Sequence, residues 1–180
     1  TSLINCRTNI TTVIWGEGQH NVTVWANDSD GNENSSRITF TIDSVAPLIS
    51  IQTPANKTNT SNVNLDVNYT VSDVNLQACW YSNDTYLVNY SLGTIGTCAN
   101  ITNVTWSEGN HNVTVWANDS FGNENNLRIT FTVDKTAPIV TFSCSPASVY
   151  IPDVITCSCS ATDIIDKSPT ISYTINPVVT

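Results

Sequence analysis

The chain has 180 residues, of which 40% are hydrophobic and only 12% are charged, and its formal net charge is -9. Its six Lys and Arg residues are too few to neutralise nucleic-acid phosphates or an anionic membrane surface. No run of residues approaches the roughly 18 consecutive apolar positions of a membrane span. We therefore expect no nucleic-acid partner and no membrane contact within this segment, with any anchor or export signal outside it.

Two long stretches of the chain repeat each other without a gap. Residues 10–51 and 101–142 align at a constant spacing of 91 positions, so that Trp15 corresponds to Trp106. A fixed period of this length indicates one small domain that recurs along the chain.

An Asp followed by an Ala-Pro pair closes each copy of the repeat, and these segments read as linkers into the next domain. The first of these segments runs from Asp43 to Pro47, and the second runs from Asp134 to Pro138. We therefore predict three units: the C-terminal half of a domain at 1–44, a complete domain at 45–135 and the N-terminal half of a further, Cys-rich domain at 136–180.

Apolar and polar residues alternate in several segments, which is the period of half-buried β-strands. One predicted core face carries Val63, Leu65, Val67, Tyr69 and Val71; further inward positions are His111, Val113, Val115, Ala117, Ile129, Phe131 and Val133. The complete unit thus contains about seven strands, the number typical of an immunoglobulin-like sandwich. We predict them near 48–52, 63–71, 76–82, 86–90, 101–106, 111–118 and 128–133.

The repeated strings GxHxVTVxAxDxxGN and ITFTVDxxAP resemble the Ig-like repeats of large bacterial and archaeal surface glycoproteins. The resemblance is dense over residues 10–51 and 101–142, and it is supported by periodicity over 52–100. It implies an all-β fold of tandem immunoglobulin-like sandwiches, used as extracellular spacer or adhesive modules, with no catalytic site to carry over.

Thirteen Asn-X-Ser/Thr triplets occur, where the Ser and Thr content predicts roughly six by chance. We predict N-linked glycans, which would hydrate a surface that has little charge. The alternative is that Asn and Thr simply occupy turns and strand surfaces. The acceptor positions are Asn9, Asn21, Asn27, Asn34, Asn56, Asn59, Asn68, Asn83, Asn89, Asn100, Asn103, Asn112 and Asn118.

Trp25 and Trp116 fall on the polar phase of their strands, beside the acceptor asparagines. We predict outward side chains at both positions. Because Trp is favoured at interfaces, one hypothesis is a surface that stacks on sugars or docks a neighbouring domain. The other hypothesis is packing against an adjacent strand or a glycan of the same molecule.

The six cysteines include no CxxC pair and no His at metal-ligand spacing, which favours disulfides over zinc. Cys79 and Cys98 lie within one repeat, and we predict that they pair. Cys6 aligns with Cys98 within one residue, so its partner is expected upstream. For the last three cysteines we predict one disulfide, which joins Cys144 either to Cys157 or to Cys159.

The DSDGNEN turn at 28–34 has the alternating oxygen side chains of a calcium loop. Its second copy has Phe121 in place of Asp30 and lacks a distal Glu at the required spacing, which favours a structural turn closed by glycine. Calcium at a domain junction stays an alternative, with Asp43, Asp134 or Asp73 as ligands.

Catalytic patterns are missing from the sequence. His20 and His111 occupy equivalent inward positions, where packing is favoured over general-base chemistry. No Ser or Cys nucleophile stands in a local motif with a base, and no paired carboxylates are apparent. We predict that the chain is not an enzyme.

These features together predict a structural glycoprotein of an extracellular surface, forming a stalk, sheath or filament. The density of acceptor triplets favours an archaeal source. Its partners would be like domains, either in a longer chain or in a homopolymer in which strands of one subunit complete the half-domain of the next. The alternative function is an adhesin or carbohydrate-binding array that recognises surface glycans through Trp25 and Trp116.

Overall fold

The computed structural model describes residues 9–11, 13–94, 96–150 and 153–175. All regular elements in these ranges are β-strands, and the predicted all-β, immunoglobulin-like sandwich class is confirmed. The strands are β1 Gly18–Asn27, β2 Glu33–Ile42, β3 Leu48–Thr53, β4 Thr58–Thr60, β5 Asn68–Ser72, β6 Leu76–Asn83, β7 Tyr90–Thr94, β8 Gly109–Asp119, β9 Glu124–Val133, β10 Ile139–Ser145 and β11 Thr156–Thr162.

The middle of the chain forms a two-layered sandwich. One layer has five strands in the order β4-β9-β8-β6-β7, and the other pairs β3 with β5. Alternation along β8 and β9 sends every second side chain into the space between the layers. The enclosed positions include Val113, Val115, Ala117, Phe131 and Val133, as their period predicted.

Trp106 anchors the segment that enters β8. Its indole Nε1 donates to the Leu65 carbonyl oxygen at 2.8 Å, and its ring packs edge-on against Phe131 with centroids 4.9 Å apart. Because the buried indole nitrogen is hydrogen-bonded, the large ring can fill the core without a desolvation penalty.

Two of the predicted strands are wrong. Residues 101–106 form no regular strand: Ile101 makes one bridge with Val67, and the Trp106 N–H donates to the Val63 carbonyl oxygen at 2.7 Å, with no continuous ladder between these two points. The segment predicted at 86–90 turns instead, because Asp84 and Tyr86 have φ angles of 41° and 58°, which an extended strand excludes; β7 begins only at Tyr90.

The strand predicted at 63–71 is shorter than expected, although its apolar phase is correct. Val67 and Tyr69 are buried, but only Asn68–Ser72 pairs with β3. Sequence reasoning missed β4, which runs parallel to β9. Its three residues, Thr58–Thr60, are too few and too polar to show a hydrophobic period.

Hairpin β1–β2 repeats the geometry of β8–β9. The ring centroids of Trp15, His20 and Phe40 lie 5.0–5.7 Å apart, and those of Trp106, His111 and Phe131 lie 4.9–5.5 Å apart. The surroundings of the two hairpins differ: β3 and β5 cover β8–β9, whereas none of the described residues forms a corresponding pair of strands over β1–β2.

The exposed fractions of matching residues measure this difference. Val115 and Ile129 are 0% and 5% exposed, whereas the corresponding Val24 and Ile38 are 41% and 63% exposed. The same apolar face is therefore core in one copy and surface in the other.

Strands β10 and β11 form a second separate hairpin, in which Ile139 pairs with Thr162 and Cys144 with Cys157. Ile139, Val140 and Phe142 are largely exposed. A two-stranded hairpin buries little apolar area by itself, and no further strand of the described part of the chain packs on this one. The division into units 1–44, 45–135 and 136–180 stays a prediction.

Candidate functional site

The predicted glycan acceptors fall into two groups by exposure. Those half-buried in the central sandwich are Asn68, Asn83, Asn112 and Asn118. The exposed ones are Asn9, Asn21, Asn27, Asn34, Asn56, Asn59, Asn89, Asn100 and Asn103. An acceptor amide must be accessible to a transferase, so the two groups differ in availability, and glycosylation itself stays a prediction.

Two exposed acceptors are held in place by residues distant in sequence through their amide oxygens. Asn56 Oδ1 accepts from the Thr130 N–H at 2.9 Å, and Asn100 Oδ1 accepts from the Tyr69 N–H at 3.1 Å. In both, the nitrogen that would carry a sugar makes no hydrogen bond with the described residues. Because these bonds come from distant residues, they fix the side-chain orientation of both acceptors relative to the sandwich.

The described residues form two disulfides. Cys79 on β6 is bonded to Cys98, the pair that the sequence predicted. Cys144 is bonded to Cys157, one of the two pairings that the sequence left open. Cys159, directly opposite Phe142 in the hairpin, is an exposed free thiol, and Cys6 lies outside the described residues.

The outward tryptophans have different environments. Trp116 lies opposite Trp80 on β6, with nearly parallel rings whose centroids are 6.4 Å apart. Trp25, its counterpart in β1, is 60% exposed. Sequence reasoning missed Trp80, although its position between inward Cys79 and Tyr81 could have indicated an outward ring.

Three carboxylates meet at the junction of hairpin β1–β2 with the sandwich. Asp43, Asp73 and Asp119 each place one oxygen within 4.8 Å of the others. Two of the predicted calcium ligands are in this group. The third, Asp134, is absent from it, because its N–H donates to the Thr60 carbonyl at the far end of the sandwich. Calcium at the junction stays an untested alternative.

Asp119 also organises the turn from β8 to β9. Its Oδ1 accepts from the N–H groups of Phe121 and Asn123 at 2.9 and 2.8 Å, and its Oδ2 from Asn123 Nδ2 at 2.7 Å. Burial raises the pKa of the Asp119 carboxyl, but these hydrogen bonds lower it more, so the pKa lies below its usual value. Gly122 completes the turn at φ +91°.

The first copy of the turn is built in the same way. Asp28 accepts from the N–H groups of Asp30 and Asn32 and from Asn32 Nδ2, at 3.0, 2.9 and 2.7 Å, and Gly31 has φ +86°. The Asn32 hydrogen bonds lower the pKa of Asp28. The same bonds at both turns support the structural interpretation of the DSDGNEN segment.

Both histidines have packing roles. His111 is buried, with Nδ1 3.0 Å from Asp84 Oδ2 and Nε2 2.8 Å from the Ser107 carbonyl oxygen. His20 Nε2 lies 2.7 Å from the Gly16 carbonyl oxygen. A shallow depression of about 350 Å³ beside His111 is lined mainly by Asn and Thr, with Lys57 and Arg128.

Within the ranges that the structure describes, no helix is long and apolar enough to cross a membrane. A family model of a bacterial Ig-like domain (group 3) matches residues 100–176. The match begins inside the central sandwich and crosses the predicted boundary at 135, so it includes β8 to β11. A search of curated proteins finds no match to this chain. An Ig-like domain of this kind generally indicates a structural or adhesive role outside the cell.

Proposed function

We propose that the chain is part of an extracellular structural glycoprotein in which Ig-like domains follow one another as a stalk, sheath or filament. The tethered junction before the central sandwich carries this proposal. Asn75 Nδ2 donates to Asp43 Oδ2 at 2.6 Å, and Asn123 Nδ2 donates to the Asp43 carbonyl oxygen at 3.0 Å.

Further contacts extend the tether along the linker. Asn125 Nδ2 donates to the Pro47 carbonyl oxygen at 2.9 Å, and Pro47 itself is buried. Side-chain hydrogen bonds to both ends of a short linker limit bending, whereas free linkers allow relative domain motion. A stiff junction is what a stalk or filament requires.

The stiffness can be measured as a distance distribution between spin labels on Ser36 and Ser91, with Cys6 and Cys159 changed to Ser. We expect a narrow distribution in the parent chain and at least about a twofold broader one in Asn75→Ala/Asn123→Ala, because two of the tethering hydrogen bonds are lost. Asn126→Ala, next to Asn125 but with an untethered side chain, is the control. A broad distribution in the parent would contradict the proposal.

The acceptor triplets and the disulfides support an extracellular location for the molecule. Disulfides persist in oxidising compartments, and nine acceptor asparagines are exposed. We propose that N-linked glycans hydrate and protect a surface with few charges, and that the molecule acts mechanically rather than as an enzyme.

The uncovered face of hairpin β1–β2 supports a partner made of similar strands. Over β8–β9 the equivalent face is covered by β3, β5 and the loop carrying Leu65. Hairpin β10–β11 corresponds to β3–β5, since Ile139 follows Leu48 by 91 positions and both begin antiparallel pairs. We propose that β10–β11 of a second copy covers β1–β2.

Sedimentation velocity over a range of concentrations tests this pairing. We expect concentration-dependent association of the parent chain and at least about tenfold weaker association of Ile38→Asp, because a buried unpaired charge opposes the contact. Thr39→Asp, on the opposite face of β2, is the control. A chain that stays monomeric would contradict pairing between copies and would leave the serial arrangement of domains as it is.

The paired rings of Trp80 and Trp116 favour a second candidate function, a carbohydrate-binding or adhesive module. Flat aromatic surfaces can stack on sugars and dock partners. Capture of glycans by the monomeric chain, lost in Trp116→Ala, would favour this candidate, whereas Trp rings covered by a neighbouring subunit would favour the structural proposal.

A further inference from the structure

The acceptor triplet Asn112-Val113-Thr114 lies beneath the loop that joins β6 to β7. The Asn112 N–H donates to Asp84 Oδ1 at 3.0 Å, and Asn112 Nδ2 donates to the Asp84 carbonyl oxygen at 3.3 Å. The Asp84 N–H in turn donates to the Asn112 carbonyl oxygen at 3.0 Å. Three hydrogen bonds therefore join the acceptor residue to the loop.

The second essential group of the triplet is covered by the same loop. Thr114 is only 2% exposed, and its hydroxyl donates to the Tyr86 hydroxyl at 3.2 Å. The Arg128 guanidinium lies 5.2 Å from the centre of the Tyr86 ring, a distance at which a cation is attracted to an aromatic face. The loop is thus held down at both Asp84 and Tyr86.

Transfer of a glycan needs both of these groups to be free. The amide nitrogen forms a bond to C1 of the sugar and loses a proton, while the bond from C1 to the phosphate oxygen of a lipid-linked donor breaks. The lipid phosphate leaves with the electron pair. The transferase must reach the amide and hold the hydroxyl two residues later, and the closed loop covers both.

The first copy of the repeat supplies an internal comparison. Residues 20–28 and 111–119 have the same sequence, HNVTVWAND, so the local acceptor signal is identical. Asn21 is exposed, however, and no loop of the described residues lies over it. The triplet and the residues that follow it therefore cannot cause a difference in acceptance between Asn21 and Asn112.

We infer that the Asp84–Tyr86 loop is a gate that withholds Asn112 from N-glycosylation once the sandwich has folded. A glycan on Asn112 and a closed loop exclude each other. Occupancy of Asn112 therefore indicates that the glycan was transferred before the sandwich folded. The inference rests on the proposed function, in which the chain is an N-linked glycoprotein.

The test uses chain made without glycans and then treated with a single-subunit oligosaccharyltransferase and a lipid-linked oligosaccharide, in folded and in reduced, unfolded form. Glycopeptide mass spectrometry separates the two sites, because their preceding residues differ. In the folded chain we expect occupancy at Asn21 and Asn100 and at least about tenfold less at Asn112. In the unfolded chain we expect equal occupancy at Asn21 and Asn112.

Loop variants separate gating from other causes of poor acceptance. Asp84→Ala/Tyr86→Ala is expected to raise folded-state occupancy of Asn112 to that of Asn21, whereas Leu87→Ala, at an 85% exposed position of the same loop, leaves it low. Tyr86→Ala alone serves if the double variant loses its Cys79–Cys98 bond or native fluorescence. It is expected to give an intermediate rise.

Each outcome bears on a different proposal. Equal occupancy of Asn21 and Asn112 in the folded parent would overturn the gate, as would a loop variant that folds and still excludes the sugar. Failure of every acceptor, folded or unfolded, would instead contradict the proposal that the chain is N-glycosylated.

Discussion

Ile129→Ala is expected to reduce the free energy of unfolding of the central sandwich by about 2–5 kcal/mol. Ile38→Ala, the same change at the matching position of the first copy, is expected to alter it by less than about 0.5 kcal/mol. Ile129 is enclosed between two layers, so its truncation leaves a cavity, whereas Ile38 already faces solvent.

Urea unfolding followed by far-UV circular dichroism, at concentrations below any association, measures both variants. Because the two positions have the same residue type, the same adjacent residues and equivalent places in their strands, intrinsic strand preference cancels in the comparison. An equal loss of unfolding free energy in the two variants would mean that the apolar face of β1–β2 is covered in the monomer, which contradicts the 63% exposure of Ile38.

The inward and outward positions of β8 and β9 could be predicted from the sequence, because each strand has one face on the core and one on the surface. His111, Val113, Val115 and Phe131 therefore keep a strict period of two. The segment from Ile101 to Trp106 shows why the same reasoning fails elsewhere. Its apolar residues fill the core as the sequence indicates, but its backbone bonds to its neighbour only near Val67 and Val63, so no regular strand forms between them.

The conformation of the loop over Asn112 could not be predicted from the sequence, because it depends on residues distant along the chain. Asp84 takes a positive φ while it bonds with Asn112 and His111, about 28 positions further along the chain. The local sequence YSNDTYLVNY contains enough aromatic and β-branched residues to indicate a strand. Tertiary contacts outweigh that preference.

Two of the three carboxylates that meet at the junction, Asp43 and Asp73, were named from the sequence, whereas Asp119 was not. Asp43 and Asp73 flank predicted linkers and strand ends, so their meeting could be anticipated from the domain order. Asp119 lies inside the triplet Asn118-Asp119-Ser120, which the sequence analysis interpreted as a glycan acceptor. Its place beside Asp43 and Asp73 depends on the fold, because β8 ends at the same edge of the sandwich as β5. Position along the sheet, rather than residue type, decides which of the chain's carboxylates come together.

Removing the Cys79–Cys98 bond by a double change to Ala is expected to reduce the free energy of unfolding by about 3 kcal/mol, the loss of loop-closure entropy for a loop of this size. The two cysteines are 19 residues apart, and Cys79 is buried in the core, so the truncated side chains add a packing loss. Thermal and urea unfolding of the oxidised parent and the variant measure the difference.

The matched control is Cys144→Ala/Cys157→Ala, which removes a bond spanning 13 residues. Loop entropy alone predicts a similar effect for the two bonds, but β10–β11 contributes nothing to the core of the central sandwich. We therefore expect the control to leave the main unfolding transition unchanged. If both variants lowered that transition equally, the hairpin and the sandwich would unfold as one cooperative unit that both disulfides stabilise.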